Sequence, residues 1–389
     1  MTVNLFDDGA WESLRPLTYT RPVADLRVGI LTIAEKWAKH LDMETGFSTQ
    51  SYLSAKFRSV KSASFSINGS VCPDEQLVYE IRNLKVGESL VKKDILIAYA
   101  PVPESQFYTA HDFTSKEYSH DLTRLVFPED IFKFNDAELK KDFKLLTVGR
   151  ISAKLSATNS FIGDSIFVEE GATAECSTFN SLNGPIYLGK NSEIWEGCNI
   201  RGSFALGENS QVKMGSKIYG QTTIGPYSRV GGEINNAIIW GYSSKGHEGY
   251  LGNSVVGQWC NIGADSNNSN LKNNYAEVKL WEYAKESFRK TGLQFCGLIM
   301  ADHAKCGINT MFNTGTVAGV SANIFGSGFP RNFIPDFAWG GAQGFETYSL
   351  EKMFDTAAKV YSRRALEFDQ QEKDMLTEIY NITAKYRHF

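Results

Sequence analysis

The chain has 389 residues, 42% of them hydrophobic and 22% charged, with 40 Lys and Arg against 44 Asp and Glu. A chain of this length predicts two or three domains with buried cores. The net charge of −4 argues against a nucleic-acid binder and a polybasic membrane-surface protein, since both need a cationic excess.

No apolar run reaches the roughly 18 residues of a membrane span, and Asp7 and Asp8 stand where a secretory signal carries positive charge. We therefore expect a cytoplasmic protein without a membrane partner. The six cysteines form no CxxC pair, which favours reduced, buried thiols and no metal site.

Residues 1–146 mix strand-like and helix-like segments. Residues 94–99 read as a strand, and residues 75–84 and 136–145 read as helices. Such alternation predicts an α/β domain that ends near residues 147–159.

Residues 5–22 read LFDDGAWESLRPLTYTRP. This segment resembles the L-A-A-G-x-G-T-R-[LM]-x-P-L-T signature of sugar-nucleotide nucleotidyltransferases. The resemblance implies that Gly9 lies in a nucleotide-binding loop, and it implies Mg²⁺ as a cofactor. Arg15 and Arg21 are candidate nucleotide contacts because they would have to replace the charge of family cations that are missing here. Backbone N–H groups of such a loop approach the phosphates, and cations balance their charge.

This N-terminal signature is degenerate. Glu12 stands where the family has a small neutral residue, and Val23 replaces its Lys. The sequence also lacks a Gly-Asp pair after an aliphatic strand to hold the metal. We expect weak binding of a nucleotide or sugar nucleotide and little or no nucleotidyl transfer; the alternative is a retained docking or sensing domain.

A six-residue period runs through the middle of the chain. Aliphatic residues recur with mostly small residues four places later, and the inward series from residue 188 is Leu188, Ile194, Ile200, Leu206, Val212, Ile218, Ile224 and Val230. Ile162, Val168 and Ala174 keep the spacing upstream, and Met300, Cys306, Phe312 and Ala318 resume it. Helices and ordinary strands have periods of 3.6 and 2, so this pattern predicts a parallel β-helix over residues 147–345.

The period resembles that of the hexapeptide-repeat family of left-handed β-helices. That resemblance, and not the spacing, implies the left hand. It also implies an acyltransferase that assembles as a homotrimer with active sites between neighbouring subunits.

Residues 247–264 read HEGYLGNSVVGQWCNIGA. This stretch resembles the acetyltransferase half of the bifunctional hexosamine-1-phosphate acetyltransferase and uridylyltransferase enzymes, with the signature H-x-x-Y-[ILV]-G-D-x-x-[IV]-G-x-x-x-N-[IF]-G-A-G. Residues 270–272 and 302–309 resemble later segments of the same family.

The resemblance implies a role for each matching residue. His247 would be the general base, Tyr250 and Asn261 would contact the sugar phosphate, and Ala264 would lie near the acyl-CoA. An imidazole suits the first role because its ordinary pKa of about 6.5 allows it to accept a proton at cytoplasmic pH.

Three further residues extend the predicted substrate site. Asn270 matches the family pattern, while Lys245 and Lys272 are phosphate partners on charge alone. Asp265 departs from the family, which has Gly there, and its carboxylate would oppose a CoA phosphate.

Two segments frame the repeat. Residues 265–296 interrupt it with an Asn-rich run and a helix-like stretch at 281–290, and they predict a loop extruded from the β-helix. Residues 346–389 predict a C-terminal helix or helical hairpin that begins after Ser349 as N-cap.

The leading hypothesis is an acetyl-CoA-dependent N-acetyltransferase acting on an amino-sugar phosphate or nucleotide sugar. The first alternative is a sugar-1-phosphate nucleotidyltransferase whose β-helix serves mainly for trimerisation. The second is a non-catalytic scaffold that binds a sugar nucleotide.

Overall fold

A computed structural model describes residues 2–101 and 113–389. The chain folds as two compact units. The N-terminal unit comprises Met1–Leu14, Thr18–Leu26 and Leu31–Phe127, and the solenoid unit comprises Arg15–Leu17, Arg27–Ile30 and Pro128–Phe389. Among the helices of the described ranges, none is long and apolar enough to cross a membrane.

The N-terminal unit contains a six-stranded mixed sheet with the order β2-β1-β3-β5-β4-β6. Its strands are β1 (Thr2–Phe6), β2 (Glu44–Ser48), β3 (Phe65–Asn68), β4 (Glu88–Lys92), β5 (Ile95–Tyr99) and β6 (Thr114–Glu117). Strand β1 is parallel to β2 and β3, whereas β5 is antiparallel to β3 and β4. The predicted α/β class is confirmed, and β5 coincides with the predicted strand.

Among the described residues, the α-helices of this unit are α1 (Ala10–Ser13), α2 (Ile33–Leu41) and α3 (Glu75–Arg82). Helix α2 begins with a capping box, in which Thr32 and Glu35 each accept a hydrogen bond from the other's backbone N–H. Asp74 caps α3 by accepting from the backbone N–H of Leu77 at 2.8 Å. These caps satisfy N–H groups that have no partner within a helix, so the sequence sets both helix starts locally.

The solenoid unit is a parallel β-helix with three faces. The first face contains β7 (Ser160–Ile162), β10 (Thr178–Asn180), β13 (Asn199–Arg201), β16 (Lys217–Tyr219), the first halves of β19 (Glu233–Gly241) and β21 (Tyr250–Gln258), β23 (Asn267–Asn268) and β28 (Met311–Phe312). The second contains β8 (Ile166–Val168), β11 (Ile186–Leu188), β14 (Phe204–Leu206), β17 (Thr222–Ile224), the second halves of β19 and β21, β26 (Leu298–Met300), β29 (Thr316–Ala318) and β31 (Phe333–Ile334).

The third face contains β9 (Thr173–Ala174), β12 (Glu193–Ile194), β15 (Gln211–Val212), β18 (Arg229–Val230), β20 (Ser244–Lys245), β22 (Asn261–Ile262), β27 (Lys305–Cys306), β30 (Asn323–Ile324) and β32 (Ala338–Gly341). Strand β33 (Gly344–Thr347) pairs antiparallel with β32. The predicted β-helix is confirmed.

The hexad residues line the interior of this β-helix. The eight aliphatic residues of the series from Leu188 to Val230 are at most 3% exposed. Small residues such as Ser210 and Ser216 are fully buried at the corners, where a larger side chain would not fit. Ile162 does not share the pattern: the residue that pairs with inward Phe179 is Phe161, and Ile162 is 43% exposed. Of the three upstream residues, Val168 and Ala174 are interior as predicted, and only Ile162 was wrong, by the one residue that turns a side chain to the opposite side of a strand.

Helices also belong to the solenoid unit. Helix α4 (Pro128–Thr147) covers the predicted helix at 136–145, and its Asn135 donates to the carbonyl oxygen of Gln221 at 2.8 Å. The C-terminal segment forms α5 (Leu350–Ser362) and α6 (Gln370–Ile382). Tyr361 of α5 stacks on Trp259 with ring centroids 4.0 Å apart, which attaches α5 to a corner of the β-helix.

The inserted segment forms a β-hairpin where the sequence predicted a helix. Strands β24 (Lys279–Glu282) and β25 (Ser287–Lys290) pair antiparallel, with Trp281 opposite Phe288. The helix-like spacing at 281–290 was misleading because the hairpin buries one face only: Arg289 reaches Glu129 at 2.6 Å, while Phe288 stays exposed. Tertiary contacts outweigh helix propensity in so short a segment.

Candidate functional site

His247 lies in the turn between β20 and β21, where the third face passes into the first; we call this turn, repeated in each coil, the third-to-first corner. The residue is exposed. Its side chain accordingly faces solvent, while its backbone carbonyl oxygen is held from within by Lys245 at 2.8 Å. The turn that presents the imidazole is therefore fixed by a neighbouring side chain.

Lys245 occupies an interior position of the β-helix. It pairs with Val230 in the coil below, is 2% exposed, and donates to the carbonyl oxygens of Gly231 and His247, each at 2.8 Å. Burial lowers its pKa from the ordinary 10.5 to about 8, against the attraction of Glu248 and Asp265. The ammonium points inward, so the structure gives it a role in holding the turn and no route to an external phosphate.

The predicted acyl-CoA contact lies one coil above the predicted base. Ser244 pairs with Asn261, and the backbone N–H of Asp265 donates to the carbonyl oxygen of Glu248 at 2.9 Å, so the two coils are offset by seventeen residues. This register stacks Ala264 directly above His247 at the same corner, one strand spacing of about 4.8 Å away. Asn261 lies beside them on the third face with an exposed side chain.

Tyr250 and Asn270 meet on the first face. The amide nitrogen of Asn270 donates to the Tyr250 hydroxyl at 2.9 Å and to the side-chain oxygen of Asn253 at 2.7 Å. Asn235 donates to the same hydroxyl at 3.5 Å. We call these four residues the tyrosine–amide cluster; the sequence pointed to Tyr250 and Asn270, but it did not identify Asn235 and Asn253, which adjoin them only in the folded coils.

Gly252 allows the Tyr250 ring to lie across the strand. A Cβ at Gly252 would overlap the hydroxyl and ring carbons of Tyr250. The cluster is thus positioned by the absence of a side chain two residues further along β21.

Two asparagine side chains replace the backbone ladder above Tyr250. Strands β23 and β28 form a separate two-stranded sheet, so β21 is not paired with β23 through its backbone. Asn267 accepts from the N–H of Tyr250 at 2.7 Å, and Asn268 both accepts from the N–H of Gly252 at 2.9 Å and donates to its carbonyl at 3.0 Å. These side chains join the coil of Tyr250 to the next one.

Lys272 lies apart from the tyrosine–amide cluster. Its ammonium donates to the carbonyl oxygen of Glu277 at 3.0 Å, and it lines a cleft beside the hairpin of β24 and β25. The structure brings together His247 and Ala264 at one corner and Tyr250 and Asn270 on the adjoining face. Lys245 reaches only the backbone carbonyl of His247, and Lys272 bonds to Glu277 instead.

The burial of Lys245 predicts a pH-dependent stability. The folded chain releases the Lys245 proton near pH 8, whereas the unfolded chain keeps it to about pH 10.5, so the unfolded state binds more protons between these values. The free energy of unfolding should therefore rise with pH in this window, by about 3 kcal/mol at 1.36 kcal/mol per pKa unit. Lys245→Met should remove this rise in urea unfolding measured at pH 7.5 and 10.

The matched control is Lys217→Met, which removes an exposed lysine of the first face. Because other groups also titrate in this window, the quantity compared is the difference between each variant and the unaltered chain. Equal pH slopes for the two variants would contradict the interior role of Lys245.

In the N-terminal unit, two carboxylates follow β1, at the edge where parallel strands of open sheets present ligand sites. Asp7 accepts from the backbone N–H of Val23 at 2.8 Å and from the Thr49 hydroxyl at 2.5 Å. Burial raises the pKa of Asp7 to about 6. In the sequence this loop is marked by two acidic residues directly after an apolar run. Asp7 and Asp8 were nevertheless not among the predicted site residues.

Both carboxylate oxygens of Asp8 also have partners within the chain. Asp8 accepts from the N–H of Ala10 at 2.9 Å and from Asn68 at 2.8 Å, and it forms an ion pair with Arg124. Each of the four oxygens of Asp7 and Asp8 thus accepts at least one contact from the chain, so a Mg²⁺ ion would compete with these contacts. No group of three or more His, Cys, Asp or Glu suited to a metal occurs in residues 2–101 and 113–389.

The predicted nucleotide contacts are dispersed. Gly9 is exposed just before α1. Arg21 is 3% exposed and pairs with Asp25 at 2.8 Å, so binding a phosphate would require breaking that pair. Arg15 belongs to the solenoid unit. Elsewhere in the N-terminal unit, Asp8 meets Asn68 and Arg124, next to Asp7 in the same loop.

Residues 3–151 match the family model described as "Sugar nucleotidyl transferase". The chain therefore carries a sugar nucleotidyl transferase domain followed by a hexapeptide-repeat β-helix. A distant relative is the "Bifunctional protein GlmU" of Methanocaldococcus jannaschii, which is 34% identical over 89 residues. That match spans 22% of this chain and about a fifth, 21%, of the length of the relative.

Solved structures with weak similarity include two bacterial enzymes. The UDP-N-acetylglucosamine acyltransferase of Francisella novicida is 12% identical, with a TM-score of 0.34 over 60% of this chain and 78% of that chain. The UDP-N-acetylglucosamine acyltransferase from Campylobacter jejuni is 13% identical, with a TM-score of 0.34 over 61% of this chain and 92% of that chain. The β-helix assignment rests on the strand register given above.

Proposed function

We propose that the protein is an acetyl-CoA-dependent N-acetyltransferase acting on an amino-sugar phosphate or nucleotide sugar, with His247 as general base. The observation that carries the proposal is the exposed imidazole in a turn anchored by Lys245, directly below Ala264 of the next coil. The resemblance of residues 247–264 to the hexosamine-1-phosphate acetyltransferase signature supports the same roles.

In the proposed reaction the sugar amine attacks the thioester carbonyl of acetyl-CoA. His247 accepts the amine proton as the N–C bond forms, and it returns the proton to the CoA sulfur when the C–S bond breaks. The tetrahedral intermediate carries an oxyanion, which backbone N–H groups of the glycine-containing turns at this corner would stabilise. The products are the N-acetylated sugar and free CoA.

The tyrosine–amide cluster would bind the sugar through neutral groups. Amide and phenol groups both donate and accept, which suits hydroxyls better than a fully charged phosphate. Two carboxylates, Glu248 and Asp265, stand at the corner on successive levels. Asp265 has φ of 58°, a left-handed conformation that Gly adopts at no cost and Asp tolerates. Its charge would oppose CoA phosphates and raise the KM for acetyl-CoA.

The deciding assay incubates the full chain with acetyl-CoA and one acceptor at a time. The two acceptors are glucosamine 1-phosphate and UDP-glucosamine. Thiol release and the mass of the acetylated product are measured together, so that simple thioester hydrolysis is not counted as transfer. Time-dependent acetylation of either acceptor is expected. Thiol release without acetylated product, or no thiol release at all, would reject the proposal.

A homotrimer with its active site between subunits accords with the surface around His247. Met214 and Ile308 lie at the same third-to-first corner below and above His247, and they are 61% and 70% exposed. Each lies two coils from His247, and Glu248 and Asp265 share the corner between them. Large apolar side chains exposed on both sides of one site favour a covered surface over a solvated one. The proposed partner is a second copy of this chain.

Ile308→Asp tests this interface. A carboxylate placed in an apolar contact carries a desolvation cost, so the variant should dissociate at concentrations where the unaltered chain is a trimer by sedimentation velocity. Leu182→Asp is the matched control, because Leu182 is 71% exposed and lies between β10 and β11, at a different corner. A monomeric unaltered chain, or equal dissociation of both variants, would contradict the interface.

The alternative function, sugar-1-phosphate nucleotidyl transfer, is favoured by the family match of residues 3–151. The pairing of Arg21 with Asp25 and of Asp8 with Arg124 argues against it, because a triphosphate needs unpaired cations. We expect binding of a sugar nucleotide by this domain without appreciable turnover. Pyrophosphate release from UTP or dTTP with a hexose 1-phosphate and Mg²⁺ is the measurement.

Turnover in the ordinary enzymatic range of about 1–10³ s⁻¹ would overturn that expectation and support the alternative. A chain that binds a sugar nucleotide but performs neither reaction would be the non-catalytic scaffold.

A further inference from the structure

The inserted hairpin borders a cleft that the proposed acetyl transfer does not use. The cleft has a volume of about 580 Å³ and is lined by Lys272, Lys279, Trp281, Phe288, Thr314, Arg331, Asn332 and Phe333. Its lining combines three cations and three aromatic rings with no carboxylate. The protein as a whole has a net charge of −4, so the positive charge of this lining is opposite in sign to that of the chain.

The aromatic part is a built surface. Trp281 stacks on Phe333 with ring centroids 4.2 Å apart and planes inclined by 12°. Phe288 lies edge-on to Trp281 at 5.4 Å and is 44% exposed, which leaves its ring accessible. The hairpin register sets Trp281 opposite Phe288, so both side chains point to the same side of the hairpin.

The cations are held at the rim of this surface. Lys279 lies two residues before Trp281 on β24, hence on the same side of the strand. Arg331 rests its guanidinium on the rings of Phe345 and Phe389 at 5.5 and 5.6 Å. Within the described ranges neither Lys279 nor Arg331 forms a salt bridge, so their charges are not neutralised by the chain.

We propose that this cleft binds a nucleoside diphosphate, with the base stacked on Phe288 and the phosphates held by Lys279, Arg331 and Lys272. Stacked rings beside unpaired cations match a ligand that is planar at one end and anionic at the other. A cleft of this volume falls in the range that holds small-molecule ligands. The ligand could be the nucleotide part of CoA or of a nucleotide sugar.

The cleft is separate from the corner of His247. Thr314 lies between β28 and β29, where the first face passes into the second, whereas His247 lies where the third face passes into the first. The inference does not depend on the acetyl-transfer proposal, and loss of the His247 imidazole should leave binding at the cleft unchanged.

The test is calorimetric titration of the full chain with ADP, UDP and CoA. Phe288→Ala and Lys279→Ala should each weaken binding at the hairpin at least about fivefold, since stacking and phosphate contacts each contribute on that scale. Lys285→Ala is the matched control: Lys285 lies on the same hairpin and is 65% exposed, but it is outside the cleft and pairs with Glu282.

Because residues 3–151 match a nucleotidyl transferase model, the titration is paired with hydrogen–deuterium exchange. Exchange reports separately on peptides from 277–291 and from 2–101. Nucleotide-dependent protection of 277–291, lost in Phe288→Ala and kept in Lys285→Ala, is expected. Stronger binding of CoA than of UDP would assign the site to the acyl donor, and the reverse order would assign it to a nucleotide sugar.

Three results would overturn the inference. The first is the absence of binding of ADP, UDP and CoA at millimolar concentration. The second is protection confined to residues 2–101. The third is binding that Phe288→Ala and Lys279→Ala leave unchanged.

Discussion

His247→Ala should lower acetyl transfer by about 10²–10⁴-fold, the usual contribution of a general base. The side chain is exposed and its anchoring contact uses the backbone carbonyl, which alanine retains. The β-helix should therefore keep its thermal unfolding midpoint and oligomeric state, and the loss should appear in kcat more than in the KM of either substrate. The measurement is thiol release together with the mass of the acetylated product, under saturating acetyl-CoA and acceptor.

The control for this variant is His388→Ala, which removes an exposed histidine near the C-terminus. It should leave the rate unchanged. If His247→Ala transfers acetyl groups at the unaltered rate, or if both histidine variants lose activity equally, His247 is not the base. A variant that unfolds would instead show that the turn depends on the imidazole.

Asn268→Ala should have the largest effect on stability. The substitution removes both hydrogen bonds that Asn268 makes with the N–H and carbonyl of Gly252, at a side chain that is 3% exposed. An unsatisfied buried polar group costs about 1–3 kcal/mol, and a cavity adds to this, so a total loss of about 3–5 kcal/mol is expected. Urea unfolding followed by circular dichroism measures it.

Asn267→Ala is the matched comparison. It stands next in sequence and also bonds to β21, but it is exposed and holds only the N–H of Tyr250 there, so water can replace it. A loss below about 1 kcal/mol is expected. Equal losses of unfolding free energy for both variants would show that the burial of Asn268 does not determine how much it stabilises the contact between the two coils.

A second prediction concerns the activity of the Asn268→Ala and Asn267→Ala variants. Both asparagines fix the strand that bears Tyr250, and therefore the tyrosine–amide cluster. Where the protein remains folded, each should raise the KM of the sugar acceptor more than that of acetyl-CoA. An unchanged acceptor KM would separate the cluster from the substrate site.

Local patterns sufficed to predict the architecture of this protein. The six-residue period follows from the repeating geometry of a coil, so residues such as Val212 and Ile224 could be assigned to the interior without coordinates. Helix α3 was equally accessible, since Asp74 caps it from its own neighbourhood. The inserted hairpin was not, because a short strand pair takes its conformation from what it packs against.

The sequence by itself determined the β-helix, the α/β character of the N-terminal unit, and the pairing of a nucleotidyl transferase-like signature with a hexapeptide repeat. Only the tertiary structure decided which side chains meet. Lys245 reads as a surface cation but turns inward, since the coil register sets it above Val230. Asn235 meets Tyr250, and Asn270 meets Asn253, because neighbouring coils offset by seventeen residues stack positions that are distant in the sequence. Arg21 reads as a phosphate ligand, yet Asp25 four residues later pairs with it. Periodicity is a local property of the chain, whereas the partner of a charged or amide group depends on long-range register.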